Sequence, residues 1–172
     1  MAPTNMLGLT TLGTWHTVIS LIAVVAGVVL IARDKEISLR TLLGRIYVAA
    51  TVIVCLTGFG IFQHGAFGNP HMLGIVTLLV IGVAAVAEST KLFGGASRYI
   101  ETVGYSATLF FHMIPGVTET LTRLPPGAPV LPGPDAPQLK AAAGFFFLLF
   151  LIGAALQVRR LRAAARPAVA PA

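Results

Sequence analysis

Long apolar segments constrain this chain more than any other feature of its sequence. Five of them lie at about residues 12–32, 45–62, 71–89, 99–121 and 141–158. Each approaches the roughly 20 residues that a helix needs to span a bilayer. Hydrophobic residues make up 56% of the chain and charged residues only 10%, which is too little charge to cover a soluble domain. The sequence therefore predicts an all-α integral membrane protein with five transmembrane helices.

The connections between these segments predict how the helices are arranged. Short connections join the first four segments, so residues 1–123 are expected to form an antiparallel four-helix membrane bundle. Residues 124–140 contain six prolines and predict an extended outer loop. The segment Ala141–Val158 then follows as one peripheral transmembrane helix. Residues 159–172 are predicted to form a basic, disordered cytoplasmic tail.

The basic residues are distributed unevenly between the two sides that five crossings would create. Only Arg123 and Lys140 lie on one side, and ten lysines and arginines lie on the other. Because cytoplasmic loops are enriched in Lys and Arg, this predicts a bacterial inner-membrane protein with its N-terminus outside and its C-terminus cytoplasmic. The net charge of +6 thus comes from basic residues that flank the membrane segments and set their orientation in the lipid bilayer. No nucleic-acid partner is predicted. The ten are Arg33, Lys35, Arg40, Arg45, Lys91, Arg98, Arg159, Arg160, Arg162 and Arg166.

The fourth segment is the least apolar, and its polar residues recur every three or four positions. That spacing places them on one face of a helix. Pro115 should kink the helix close to His112. Polar groups inside a span are costly and often mark function, although such a stripe can also serve only to join helices through hydrogen bonds. The stripe consists of Glu101, Tyr105, Thr108, His112, Gly116 and Glu119.

The first segment has a face of small residues at the same helical spacing. A face of this kind lets another helix, or a flat ligand, approach closely. Tight helix packing alone is the other interpretation. The face consists of Gly13, His16, Ser20, Ala23 and Gly27.

The four histidines, His16, His64, His71 and His112, fall one in each of the first four segments, all towards the predicted outer side. One interpretation is that they are ordinary interfacial and core residues. A second is a haem b held by two axial imidazoles. A third is a copper, zinc or iron ion, and a fourth is a proton-responsive site, because histidine titrates near neutral pH.

The haem and metal interpretations name different residues. The haem site would use His16 and His112 as axial ligands, lined by Ser20, Gly27, Tyr105 and Thr108. The metal site would use His64 and His71 together with His16 or Glu119.

Two carboxylates near the ends of segments have simpler interpretations as ion pairs. Glu119 and Arg123 are four positions apart, which favours a pair along one helix. Glu88 is expected to be partly exposed and to pair with Lys91 or Arg45, and a proton-relay carboxylate is its other interpretation.

One stretch of the chain is similar to known sequences. His16, Gly27, a short basic loop and then Leu43-Gly44-Arg45-Ile46-Tyr47-Val48 and Leu56-Thr57-Gly58 resemble a family of bacterial predicted membrane proteins of unknown function. The resemblance covers about residues 16–90 and includes an early membrane His and a Gly-Arg-x-Tyr signature. Leu39-Arg40-Thr41 replaces the family's His-Arg, and its later Trp-Met-x-Arg signature is missing. The family's layout resembles small four-helix b-type membrane cytochromes, which implies haem.

The functional prediction is a b-type haem-binding membrane protein or subunit that takes part in electron transfer. The first alternative is a non-catalytic accessory subunit that contacts a larger membrane complex through Ala141–Val158, a segment free of ionisable residues. The second alternative is a small membrane protein that handles metal ions. The sequence shows no phosphate loop, nucleophile elbow or zinc-protease motif.

Overall fold

A computed structural model describes residues 8–62, 67–90 and 92–165. Within these ranges the secondary structure is entirely helical, as the sequence predicts. Three of the helices are long and apolar enough to cross a membrane.

Five α-helices run in the order α1 (Thr11–Asp34), α2 (Leu42–Gly58), α3 (Asn69–Ser89), α4 (Ser97–Arg123) and α5 (Pro137–Ala164). The three membrane-length apolar helices are α1, α3 and α5. The α2 helix is apolar but has only 17 residues. The α4 helix is the longest of the first four and continues through its interior proline without a break.

Local sequence signals explain where these helices begin. The side chain of Thr10 accepts a hydrogen bond from the amide of Gly13 at 3.1 Å, and Thr41 does the same for Gly44 at 3.0 Å. Both threonines therefore act as N-caps, which satisfy amides that the first turn leaves unpaired. Pro137 begins α5, where its fixed backbone angle suits the first helical position.

The prediction for the C-terminal tail is partly wrong. The α5 helix continues to Ala164, so residues 159–164 are helical and not disordered. This extension contains arginine, leucine and alanine, which are strong helix formers, and basic side chains are favourable at the C-terminal end of a helix. The helix also begins four residues earlier than predicted, inside the predicted loop. Residues 166–172 of the predicted tail lie outside the described residues.

The helices pack around a core of small and large side chains. The α1 helix packs on α2, α3 packs on α4, α2 contacts α3, and α5 lies along α4. Tyr47 and Tyr105 are completely buried, and they pack with the small side chains Ala23 and Ala84. Bulky rings facing alanines let the helices approach closely while the interior stays filled.

The closest approach in this core is between Gly27 of α1 and Tyr47 of α2. A Cβ atom built on Gly27 would lie 2.8 Å from the Tyr47 ring and 2.8 Å from Leu109. The Tyr47 hydroxyl is held by a 2.7 Å hydrogen bond to Thr108, so the ring cannot easily move aside. Gly27 is therefore required for α1 to pack against α2.

We expect Gly27→Ala to lower the free energy of unfolding by about 1–3 kcal/mol, the usual cost of overpacking a filled core. The matched control is Gly82→Ala in α3, because a Cβ built there meets nothing within 4 Å. Both changes alter intrinsic helix propensity equally. Denaturant unfolding in detergent micelles measures the difference, and equal stabilities of the two variants would contradict this packing argument.

Candidate functional site

The polar stripe of α4 faces the interior over its first half. Glu101 is 2% exposed, His112 is 6% exposed, and Tyr105 and Thr108 between them are completely buried. Glu119, predicted on the same face, is exposed, and so is Gly116. The buried part of the stripe therefore ends between His112 and Pro115.

Two hydrogen bonds connect this stripe to α2. The hydroxyl groups of Tyr47 and Thr108 are 2.7 Å apart, and the Thr51 hydroxyl lies 3.0 Å from Nε2 of His112. All four side chains are buried. Each hydroxyl can both donate and accept, and a neutral imidazole has one nitrogen of each kind. These contacts form two separate cross-links between the helices, and the hydroxyls of Thr51 and Thr108 also donate to the backbone carbonyls of Tyr47 and Tyr105 at 2.8 and 2.7 Å.

A third contact links α2 to α1. Nδ1 of His16 lies 3.0 Å from the Thr57 hydroxyl. Thr57 is six residues beyond Thr51, about 9 Å further along the helix. His16 and His112 are nevertheless close enough for their charges to interact. The first segment and the polar stripe thus meet around α2.

A cluster of charged residues surrounds Glu101, near the start of α4. Glu101 accepts hydrogen bonds from Arg40 and from Arg98, the latter at 2.6 Å. Arg98 also contacts Glu36 at 2.6 Å, and Arg40 lies 3.5 Å from Glu88. We call these five residues the basic-end cluster, because they join the basic α1–α2 connection to the adjoining ends of α3 and α4.

The predicted partners of Glu88 are wrong as far as the structure describes them. Glu88 accepts hydrogen bonds from the Ser38 hydroxyl at 2.8 Å and the Leu39 amide at 3.2 Å, besides its contact with Arg40. Arg45 instead donates to the Leu39 carbonyl at 2.8 Å. Lys91 lies outside the described residues. The loop folds back over α3, a long-range contact that sequence spacing does not encode.

Tyr105 lies on α4 between Glu101 of the basic-end cluster and Thr108, which contacts Tyr47. Its hydroxyl is buried and forms no hydrogen bond within the described residues, although it lies within electrostatic range of Glu88 and Glu101. A buried hydroxyl without a partner is costly and calls for a functional or solvent explanation.

At the opposite end, the predicted pair of Glu119 and Arg123 is confirmed. Glu119 is also close enough to His16 for their charges to interact. We use the name polar column for the buried and half-buried polar residues that run from Glu101 to His16. They are Glu101, Tyr105, Tyr47, Thr108, Thr51, His112, Thr57 and His16.

The residues predicted to line a haem differ in burial and in what they contact. Gly27 is covered by Tyr47 and Leu109, so this part of the small-residue face serves helix packing. Thr108 and Tyr105 are buried in the polar column, and Ser20 is half-buried on α1. The space beside Gly27 that a flat ligand would need is filled by protein side chains.

The residues predicted for a metal ion do not form a ligand set in the described part of the chain. His71 is stacked between Phe62 and Phe67, with ring centroids 5.0 and 4.9 Å away. Its Nδ1 accepts a hydrogen bond from the Gly68 amide at 3.2 Å, which caps α3. His64 lies outside the described residues. Among the side chains that the structure describes, no group of three or more His, Cys, Asp or Glu could hold a metal ion.

Comparison with known proteins adds no relative. No protein-family model, curated protein or solved structure matches the chain. The resemblance over residues 16–90 stays a prediction from the residues that carry it.

Proposed function

We propose that this protein is a five-span membrane protein that relays protons through the polar column. In this arrangement α1–α4 form the antiparallel bundle, α5 is peripheral, and the basic-end cluster faces the cytoplasm of a bacterial cell. The 17 residues of α2 extend about 26 Å, close to the hydrocarbon thickness of a bilayer. The polar stripe of α4 is buried from Glu101 to His112, so lipid does not have to solvate these residues.

The observation that carries this proposal is a series of three imidazole and hydroxyl contacts at successive positions along α2. Three contacts of 2.7 to 3.0 Å connect α2 with α4 and α1, and the buried carboxylate of Glu101 lies below them. Thr108 and His112 are four residues apart, about 6 Å in depth. Groups that both donate and accept can pass a proton by exchanging their hydrogen bonds, and histidine does so near neutral pH.

The charged ends provide the terminal groups of such a relay. At the basic end, the carboxylates of Glu88 and Glu101 lie within electrostatic range of the buried Tyr105 hydroxyl. At the other end, Glu119 is exposed and acts electrostatically on His16. A proton would therefore travel between the buried carboxylates of the basic-end cluster and the exposed carboxylate of Glu119, through tyrosine, threonine and histidine side chains.

Tyr47→Phe tests this function, because it removes one hydroxyl from the middle of the column and keeps the ring that packs on Gly27. We expect proton flux into proteoliposomes, driven by a potassium diffusion potential, to fall at least about tenfold, as positioned proton-transfer groups typically contribute that much or more. Tyr99→Phe is the control, because Tyr99 lies in α4 outside the column. Wild-type flux through Tyr47→Phe would contradict the proposed path.

A haem-binding electron carrier is the second candidate function, and one observation favours it. His16 and His112 each have a ring nitrogen fixed by a threonine hydroxyl, and histidines that bind metals usually have their second nitrogen held in this way. Two observations count against it. Thr51 and Thr57, which hold the two imidazoles, are six positions apart on α2, and Tyr47 fills the space beside Gly27. Both observations make a porphyrin beside Gly27 the less favoured proposal.

An absorption spectrum separates the two candidates. A haem b protein purified with adequate haem supply would show a sharp α band on reduction, and His16→Ala or His112→Ala would abolish it. A colourless wild-type preparation would contradict haem binding without affecting the proton relay. The accessory-subunit and metal-handling alternatives stay predictions, tested by co-purification in mild detergent and by elemental analysis.

A further inference from the structure

A groove of about 440 Å³ runs between α1 and α5, with α4 as its floor. Its walls are almost entirely apolar. This volume lies within the range typical of small-molecule sites. The lining residues include Val28, Leu109, Phe110, Met113, Phe150 and Gly153.

Hydrogen bonds between α5 and α1 close the groove at its basic end. Nε2 of Gln157 donates to the Lys35 carbonyl at 2.9 Å, and the Gln157 side chain also bonds to the Ser106 hydroxyl. Arg160 donates to the Asp34 carbonyl at 2.8 Å. These contacts fix the distance between α1 and α5 at this end. The width of the groove is therefore set by hydrogen bonds between the helices.

The closed end of the groove has a positive charge. The exposed side chains of Lys35 and Arg160 both line it. The nearby carboxylate of Asp34 is paired with Arg33 at 2.7 Å and is within electrostatic range of Arg160, and the Lys35 ammonium donates to the Ala32 carbonyl. The site therefore combines a long apolar wall with two cations at one end.

We propose that this groove binds an acyl chain of one anionic phospholipid, whose phosphate contacts Lys35 and Arg160. Apolar chain atoms gain free energy by leaving water or a poorly packed surface for this wall. Arginine and lysine bind phosphate oxygens through charge-assisted hydrogen bonds. Basic residues at the cytoplasmic ends of helices are typical binding sites for anionic headgroups. A zwitterionic lipid would bring its own ammonium group beside the two cations and bind less well.

Native mass spectrometry of the full-length protein, extracted from vesicles of equal phosphatidylglycerol and phosphatidylcholine, tests this site. We expect one retained lipid per protein, with phosphatidylglycerol preferred about 30-fold, the preference that two basic residues near an anionic membrane surface provide. Equal retention of the two lipids, or retention of none, would overturn the proposal.

Two variants test the groove itself. A Cβ built on Gly153 meets nothing within 4 Å, so Gly153→Leu places its side chain in the groove without displacing protein atoms. We expect this variant to lose the retained lipid at least about tenfold, because it removes the volume that the acyl chain would fill. Gly144→Leu is the matched control on the same helix, since its built Cβ also meets nothing within 4 Å and it lies outside the groove. Equal lipid retention by the two variants would overturn the proposal.

Removing the charges tests the headgroup contact. The double variant Lys35→Gln and Arg160→Gln should still retain a lipid but lose the preference for phosphatidylglycerol over phosphatidylcholine. An unchanged preference would show that the phosphate is not held at this end of the groove, and the proposal would fail.

Discussion

Replacing Arg40 and Arg98 together with methionine is expected to lower the free energy of unfolding by about 3–5 kcal/mol, the cost of leaving a buried charge without its partner. Both arginines contact the carboxylate of Glu101, which is 2% exposed. The two replacements keep much of the side-chain volume and remove both charges. Thermal unfolding in detergent micelles measures the loss.

A third substitution distinguishes the stability lost through an unpaired charge from the stability lost through poorer packing. Adding Glu101→Gln to the double variant removes the most buried of the three carboxylates that lose an arginine partner, so part of the lost stability should return. Arg33→Met is the control for removing an arginine from an exposed pair, because Arg33 and Asp34 are solvent-accessible. Such a pair contributes about 0–1 kcal/mol. If the triple variant were as unstable as the double variant, the basic-end cluster would not stabilise the protein through Glu101.

Replacing His112 with leucine is expected to reduce proton flux on the order of 10²-fold, the contribution of a well-placed proton-transfer group. His112 is 6% exposed and contacts the Thr51 hydroxyl at 3.0 Å. Leucine fills a similar space but can neither donate nor accept a proton, so the column is interrupted between Thr108 and His16. Flux is measured by a pH-sensitive dye inside proteoliposomes.

The control for this variant is His71→Leu. His71 is equally buried, but it is stacked between Phe62 and Phe67, outside the polar column. We expect this variant to conduct protons as the wild type does. A similar loss of flux in both variants would indicate a general effect of removing buried histidines and would contradict a path through His112.

Much of the fold follows from hydropathy and helical spacing. Apolar runs locate all five helices because an uninterrupted helix satisfies its own backbone hydrogen bonds. The buried residues of α4, from Glu101 to His112, were identifiable because polar groups at intervals of three and four share one face. The prediction of a disordered tail after Val158 differs from the structure because residues 159–164 have strong helix propensity and continue α5.

The partners of these residues could not be predicted in the same way. The contacts Tyr47–Thr108 and Thr51–His112 each join residues 61 positions apart, and nothing local in α2 specifies them. The hydroxyls of Thr51 and Thr57, polar groups in an otherwise apolar segment, were the available signal. The groove beside α5 depends on the angle at which three helices meet, which is a property of tertiary packing alone.

The most direct measurement of the central claim is the rate of internal pH change in vesicles that contain the wild-type protein, under an imposed potassium diffusion potential. The proton relay predicts a rate that rises with the amount of protein per vesicle and reverses direction when the potential is reversed. A rate equal to that of protein-free vesicles at every protein density would contradict it.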